Sequence, residues 1–467
     1  MPFTTTLLFF ALNFRKNPTT FRIVLGVKIA TYLQHFICIL AQKISIMRFA
    51  YSLLIRFVAI ILPLLARFNA KLQRFVDGRK SVWQTLEKGL EGSHKTLWFH
   101  AASLGEYEQG LPVMEALKAK YPEYTFVLTF FSPSGYEVRK NNPVADLTVY
   151  LPLDTPENAR RFLQTVQPEM AFFIKYEFWP NYLNQLRQQA IPTYLISGVF
   201  RPNQVFFKVY GGFYRKALRT FSHFFVQNDL SKTLLLSIGI KAISVSGDTR
   251  FDRVNTVLQR DNTLDFMEEF TQNATVIVIG SSWPKDEELL AHYINEAPKN
   301  LKFVLAPHNI KSEQLDAFEA LLKHPSVRYS QRDTLSLQDY SILIVDTVGL
   351  LTKIYAYADI AYVGGGFGYP GVHNVLEPAT FGIPIVVGPH YDHFAEATAL
   401  VHLGGCVSIS NESELKMILD TWVANTLERK EKGKLCATFV QKNTGATEQI
   451  VSYITTNYKP TLTHEKM

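Results

Sequence analysis

Short apolar runs recur along the chain from about residue 96 to residue 390, and amphipathic stretches of helical period separate them. TLWFHAA (96–102), YTFVLTFF (124–131), MAFFI (170–174), TYLIS (193–197) and HFFVQ (223–227) form a first series. ATVIVIGSS (274–282), KFVLAPH (302–308), SILIVD (341–346), ADIAYVGG (358–365) and PIVVGPH (384–390) form a second. Between them lie runs such as EQGLPVMEALKAKYP and PENARRFLQTVQP. Continuous apolar strands alternating with helices predict parallel sheets covered on both faces, hence an α/β fold. Two series predict two doubly wound, Rossmann-like domains, residues 81–260 and 261–450. The join falls between Asp252 and Asn273, where RVNTVLQRDNTLDFMEEF reads as a helical connection, and residues 451–467 read as a tail.

Before the first strand the pattern changes. Residues 48–68, RFAYSLLIRFVAIILPLLARF, are apolar but interrupted by Arg56. The uninterrupted part, 57–66, is shorter than the ~20 residues that cross a bilayer. With Arg56 snorkelling, the segment reads as an inserted anchor or as a helix lying in the interface. Arg67, Lys71, Arg74, Arg79 and Lys80 follow directly, which places the globular part on the cytoplasmic side. No small-x-small site precedes this basic cluster, against a cleaved signal peptide. An earlier apolar patch, 21–40, carries Lys28 and His35. Met47 stands just before the better segment, so residues 1–46 read as a possible start extension and 47–80 as anchor and basic linker.

Charge supports the division. The formal net charge of the 467 residues is +7, but the first 80 residues hold twelve Lys or Arg against Asp77 alone, leaving the rest mildly acidic. The basicity fits a membrane surface and argues against a nucleic-acid groove. Cys38, Cys406 and Cys436 have neither disulfide nor zinc spacing, as expected in a reducing compartment.

Candidate chemistry sits at predicted strand ends. In YVGGGFGYPGVHNVLEPATFGIPIVVGPH (362–390) a strand, a glycine run and a helix starting near His373 and Asn374 suggest an anion site. The run comes too late in its domain for a dinucleotide fingerprint. Glu377, one turn into that helix, either accepts ribose hydroxyls or caps its own helix. His308 in APH offers an imidazole, cationic or hydrogen-bonding, and DTVGLL (346–351) offers another turn opening a helix. In HAASLGEYEQG, Glu106 and Glu108 follow a strand end: Glu106 is a candidate general base, or a first-turn charge complementing the helix dipole. Ser132-Pro133-Ser134-Gly135 ends the next strand with hydroxyls. Glu177 in KYEFWPNY is a second carboxylate, beside Trp179. Arg250 in GDTRFD is a permanent cation, for a developing phosphate charge or for a surface ion pair.

HAASLGE, FSPSGYEVRK, EFWPNY, GDTRFD, APH, DTVGLL and HNVLEPATFGIPIVVGPH occur in an order that resembles the 3-deoxy-D-manno-octulosonic acid (Kdo) transferases across residues 47–450. The resemblance implies an inverting glycosyltransferase of GT-B fold, with two Rossmann-like domains facing a cleft, an N-terminal acceptor-binding domain and a C-terminal nucleotide-sugar domain. It implies Glu106 as the base, and Glu177 and Arg250 as transition-state stabilisers. Pro307, His308, Val348, Gly349, Leu350, Asn374, Val375, Leu376 and Glu377 become the CMP contacts. No cofactor or metal is implied. The implied partners are a CMP-Kdo donor, a lipid A precursor acceptor and inner-membrane lipids, with no nucleic acid. The implied location is the cytoplasmic side of the bacterial inner membrane, held by a single N-terminal anchor. Leu350, Val372 and Arg250 stand where the family commonly has an acid, a glycine and a lysine. A UDP-sugar transferase or epimerase and a non-catalytic nucleotide sensor are the alternatives.

Overall fold

The first series of apolar runs forms a seven-stranded sheet in the computed structural model, which describes residues 46–93, 95–272, 274–369 and 371–458. Its strands are β1 (Thr96–Ala101), β2 (Thr125–Phe130), β3 (Leu147–Tyr150), β4 (Pro168–Ile174), β5 (Thr193–Gly198), β6 (His223–Val226) and β7 (Ile243–Val245). They lie in the order β3-β2-β1-β4-β5-β6-β7, and β1 pairs in parallel with both β2 and β4. Phe99 stacks between Phe126 and Phe172, with ring centroids 5.6 and 4.5 Å away, so three neighbouring strands share one aromatic core.

The second series forms another seven-stranded sheet: β8 (Thr275–Ser282), β9 (Leu301–Pro307), β10 (Ser326–Arg328), β11 (Ile342–Ile344), β12 (Ile360–Val363), β13 (Ile385–Val387) and β14 (Cys406–Ser408). The order is β10-β11-β9-β8-β12-β13-β14. Alternate residues point to opposite faces. Val276 and Val278 join one buried cluster, whereas Ile277 and Ile279 join another, so the sheet is buried on both sides.

The chain divides into two compact units less linearly than the sequence suggests. The first holds residues 46–107, 121–224 and 229–244, and the second holds 108–120, 225–228 and everything from Val245. The join therefore lies upstream of the predicted connection. The cause is local: Asp252 accepts the Gly445 and Thr447 N–H groups at 2.6 and 2.7 Å, and Phe251 packs edge-on to Phe439. These contacts tie the segment to the Thr426–Lys442 helix and to the start of the Ala446–Asn457 helix of the second unit. The Ala446–Asn457 helix also corrects the predicted tail, because it runs through Asn457 and buries Ile450 and Ile454. The remainder of the predicted tail, and residues 1–45, lie outside the described residues.

Residues Ile46–Ala66 form one helix, 21 residues long with mean hydropathy 2.2, long and apolar enough to cross a membrane. Its polar side chains share a face that docks on the first unit. Tyr51 donates to Asp154 at 2.8 Å, Ser52 donates to Asn181 at 3.4 Å, and Arg56 pairs with Glu157. Phe49, Leu53, Phe57, Ile60 and Leu64 are left exposed. The basic cluster after the helix is smaller than its sequence indicates. Arg79 turns inward, donating to the carbonyls of Phe75, Leu151 and Phe131 at 2.7–2.9 Å with its guanidinium over the Phe75 ring.

Candidate active site

In the first unit the strand order reverses between β1 and β4, and a crevice for ligands opens beyond the carboxyl ends of strands at such a point. Glu106 follows β1 and Glu177 follows β4. Glu106 lies in the first turn of the Leu104–Lys120 helix and folds back so that its Oε2 accepts the Ala102 N–H at 2.5 Å. It is 7% exposed. Burial, and secondarily the charge of Glu177, push its carboxyl up to about 7, against the pull of backbone N–H groups and Lys175. A carboxylate poised near neutrality matches the requirement for a general base. The first-turn position and the base role are compatible, since the same turn supplies the hydrogen bonds.

Glu177 is oriented by a chain of side chains. The Trp179 indole N–H is 3.0 Å from both Glu177 Oε2 and His100 Nε2. An indole can only donate, so His100 accepts at Nε2 and carries its proton on Nδ1, facing Thr129 Oγ1 at 2.9 Å and its carbonyl at 3.2 Å. His100 is wholly buried. The sequence reading used it only to mark a strand end. The available signal was a polar residue inside the run TLWFHA, all six of whose residues are buried. Ser132, at the end of β2, caps its own helix by accepting the Ser134 N–H at 3.3 Å.

In the second unit the reversal lies between β8 and β12. The glycine run after β12 is packed by backbone. A Cβ on Gly364 would sit 2.5 Å from Ser281 O, and one on Gly366 2.7 Å from Gly388 Cα. The Gly365 N–H donates to Asp286 at 2.9 Å, which also accepts from Tyr362 and Trp283. The glycines serve close packing, and the helix that follows, Leu376–Thr380, is five residues long.

Three rings gather on that scaffold. The Trp283 N–H donates to His373 Nε2 at 2.8 Å, making a nearly coplanar pair, and His308 stacks on both with centroids 4.7 and 4.5 Å away. Burial holds His373 down to about 4, with His308 adding to the effect, and burial also lowers His308. Of the two roles left open for His308, the neutral, stacking and hydrogen-bonding imidazole is the one this setting favours. Pro307 ends β9 beside it.

Glu377 accepts from Thr352 and Asn374, each at 2.9 Å, and burial raises its pKa. Asn374 in turn accepts the Leu376 N–H at 3.1 Å, so the capping arrangement is present, while each carboxylate oxygen keeps a further lone pair for a ligand hydroxyl. Thr352 was missed by sequence reasoning. Val375 and Leu376 are core side chains, so they can offer a ligand only their backbone. In the turn after β11, Val348 is exposed, Gly349 has φ +91° and Leu350 is half-buried.

Arg250 is not a free cation. Its guanidinium is bidentate to Glu396 at 2.7 and 3.2 Å, and its Nε donates to Asp248 at 2.9 Å. One positive charge flanked by two carboxylates is the structural outcome of the ion-pair reading. Among the described residues no three His, Cys, Asp or Glu side chains gather in a way that could hold a metal ion.

A sequence profile described as 3-Deoxy-D-manno-octulosonic-acid transferase (kdotransferase) matches residues 72–253. The 3-deoxy-D-manno-octulosonic acid transferase of Chlamydophila psittaci is 29% identical over 364 residues, 74% of this chain and 83% of the relative. Over most of its length the chain is similar to the Kdo transferases. The 3-deoxy-D-manno-octulosonic acid transferases of Haemophilus influenzae and Aquifex aeolicus are 26% and 27% identical, covering 77% and 70% of this chain and 86% of each relative. Among solved structures, the UDP-GlcNAc 2-epimerase of Neisseria meningitidis aligns with TM-score 0.57 at 14% identity, over 78% of this chain and 100% of the epimerase. That likeness concerns the fold alone. The fold is of the GT-B class.

Proposed function

We propose that this chain is an inverting glycosyltransferase that moves Kdo from CMP-Kdo to a hydroxyl of a lipid A precursor. The observation that carries the reading is Glu106: a buried carboxyl at the end of a switch-point strand, poised near neutral pH, in a chain similar to the Kdo transferases.

Glu106 takes the proton of the acceptor hydroxyl as its oxygen attacks the anomeric carbon of Kdo. The bond from that carbon to the phosphate oxygen breaks, and CMP leaves with the electron pair. Glu177, fixed by the Trp179 N–H, stabilises the positive charge that develops on the sugar. In the second unit His308 contacts the nucleotide as a neutral ring beside Pro307. The Val348–Gly349–Leu350 turn and the Asn374–Val375–Leu376–Glu377 segment complete the CMP site, with Glu377 accepting from ribose hydroxyls. Arg250 acts on the departing phosphate by exchanging one of its two carboxylate partners for it.

The acyl chains of the acceptor remain in the bilayer, so we read the Ile46–Ala66 helix as the element that keeps the enzyme on the inner membrane, facing the cytoplasm. Its docked polar face supports a helix lying in the interface.

The test is a protein starting at Met47, supplied with CMP-Kdo and a tetra-acylated lipid A precursor, with lipid mass followed over time. Mass gains of whole Kdo residues, abolished in Glu106→Gln, are expected. No gain from the intact protein, with CMP binding demonstrated, overturns the reading.

A further inference from the structure

Lys175 follows β4 directly and adopts φ +67°, the left-handed region that a long side chain enters only under constraint. Its N–H is held by the Ile196 carbonyl at 2.8 Å, which fixes the turn. Backbone strain of this kind clusters at functional sites. The side chain is half-buried at the same switch point as the two glutamates, two residues from Glu177 and close enough to Glu106 for its charge to act on that carboxyl. Its ammonium lies 5.2 Å from the centre of the Tyr176 ring, and among the described residues no carboxylate lies within ion-pair distance of it.

Electrostatics gives this cation a purpose. Two carboxylates at one crevice repel an anion, yet on the Kdo-transfer reading both substrates are anionic: the donor sugar carries a carboxylate and the acceptor carries phosphates. A positive charge must admit whichever anionic group lies near the reacting hydroxyl.

We propose that Lys175 is a substrate-binding residue whose ammonium pairs with an anionic group, carboxylate or phosphate, carried beside the hydroxyl that Glu106 deprotonates. The inference rests on the Kdo-transfer reading for the identity of the ligands, and it goes beyond that reading in naming the group that recognises their charge. The left-handed backbone aims the side chain, and Tyr176 flanks it.

The experiment measures calorimetric binding of CMP-Kdo, of CMP, and of the lipid precursor with and without its phosphates, to full-length wild type, Lys175→Met, Lys175→Gly and Lys175→Arg. Transfer is assayed in parallel. A charge-assisted contact predicts weakening on the order of 10- to 100-fold for one ligand in the Met and Gly variants, with partial recovery in Arg. Loss for CMP-Kdo with CMP unaffected assigns the sugar carboxylate. Loss for the phosphorylated lipid but not its dephosphorylated form assigns the acceptor phosphate. Lys175→Gly, which relieves the strained backbone, is expected to melt no lower than wild type, separating recognition from folding. Binding of every ligand within twofold of wild type in both the Met and Gly variants, or no binding to wild type, overturns the proposal. Altered binding in a protein that transfers no Kdo overturns the Kdo-transfer reading alone.

Discussion

The Trp179 indole N–H points between His100 Nε2 and Glu177 Oε2, 3.0 Å from each, so one donor serves a buried imidazole and a site carboxylate together. Replacing Trp179 by Phe keeps the ring packed against Phe131 but removes the donor. Glu177 then loses its orientation and the buried His100 Nε2 loses its partner. We expect kcat to fall by about 10- to 100-fold and stability by about 1–3 kcal/mol. Steady-state kinetics and urea unfolding check both.

Glu106 sets the pH response. As the proposed base it must be ionised, so kcat/KM should rise with pH and level off above an inflection near 7. The stability consequence has the opposite sense. A carboxyl whose folded pKa lies above its unfolded value binds its proton more tightly in the native state, so it destabilises the fold progressively as pH rises from about 4.5 through 7. Glu106→Gln should therefore melt higher than wild type at pH 8 and level with it at pH 4. A wild-type-like pH dependence of melting in Glu106→Gln would show that another group controls it.

Arg250 and Glu396 form a bidentate pair within the second unit. Arg250→Ala leaves Glu396 and Asp248, both largely buried, without their cation, at a cost of about 1–3 kcal/mol given the partial exposure of the arginine. Lysine restores the charge but not the fork, so Arg250→Lys should recover only part of the loss. A double-mutant cycle with Glu396→Gln, followed by denaturant unfolding, measures the coupling.

On the Ile46–Ala66 helix, Phe57 and Ile60 are exposed while Tyr51 and Ser52 face the first unit. Phe57→Asp with Ile60→Asp should abolish co-flotation with anionic liposomes and leave the melting temperature of the globular part nearly unchanged. Charge reversal at Lys71 and Arg74 should weaken flotation by a smaller, salt-sensitive amount.

The sequence exposed the interior strands and hid the margins. β3, β7, β10 and β14 escaped detection, and they are the four edge strands, each three or four residues long. A strand with one neighbour needs no continuous apolar run, and β7 and β10 contain mostly half-buried residues. Candidate residues at strand ends, such as Glu106, Glu177 and His308, were placed by the sequence because a polar group after an apolar run marks where a parallel sheet opens. Partners were not. Thr352 and His100 matter through what the fold brings to them, and Arg79 resembles its basic neighbours until its carbonyl contacts are seen. In the glycine run, tight backbone packing and a phosphate cradle call for the same residue, so the sequence alone did not separate them.

The Gly364 and Gly366 contacts lock the ends of β8, β12 and β13 into one another with no room for a methyl group. Loops interlocked in this way cannot lengthen, swing or reshape independently, so the floor beneath the Trp283–His308–His373 stack is rigid. A change in what this stack accepts would have to come from side chains, because its backbone leaves selection nothing to remodel.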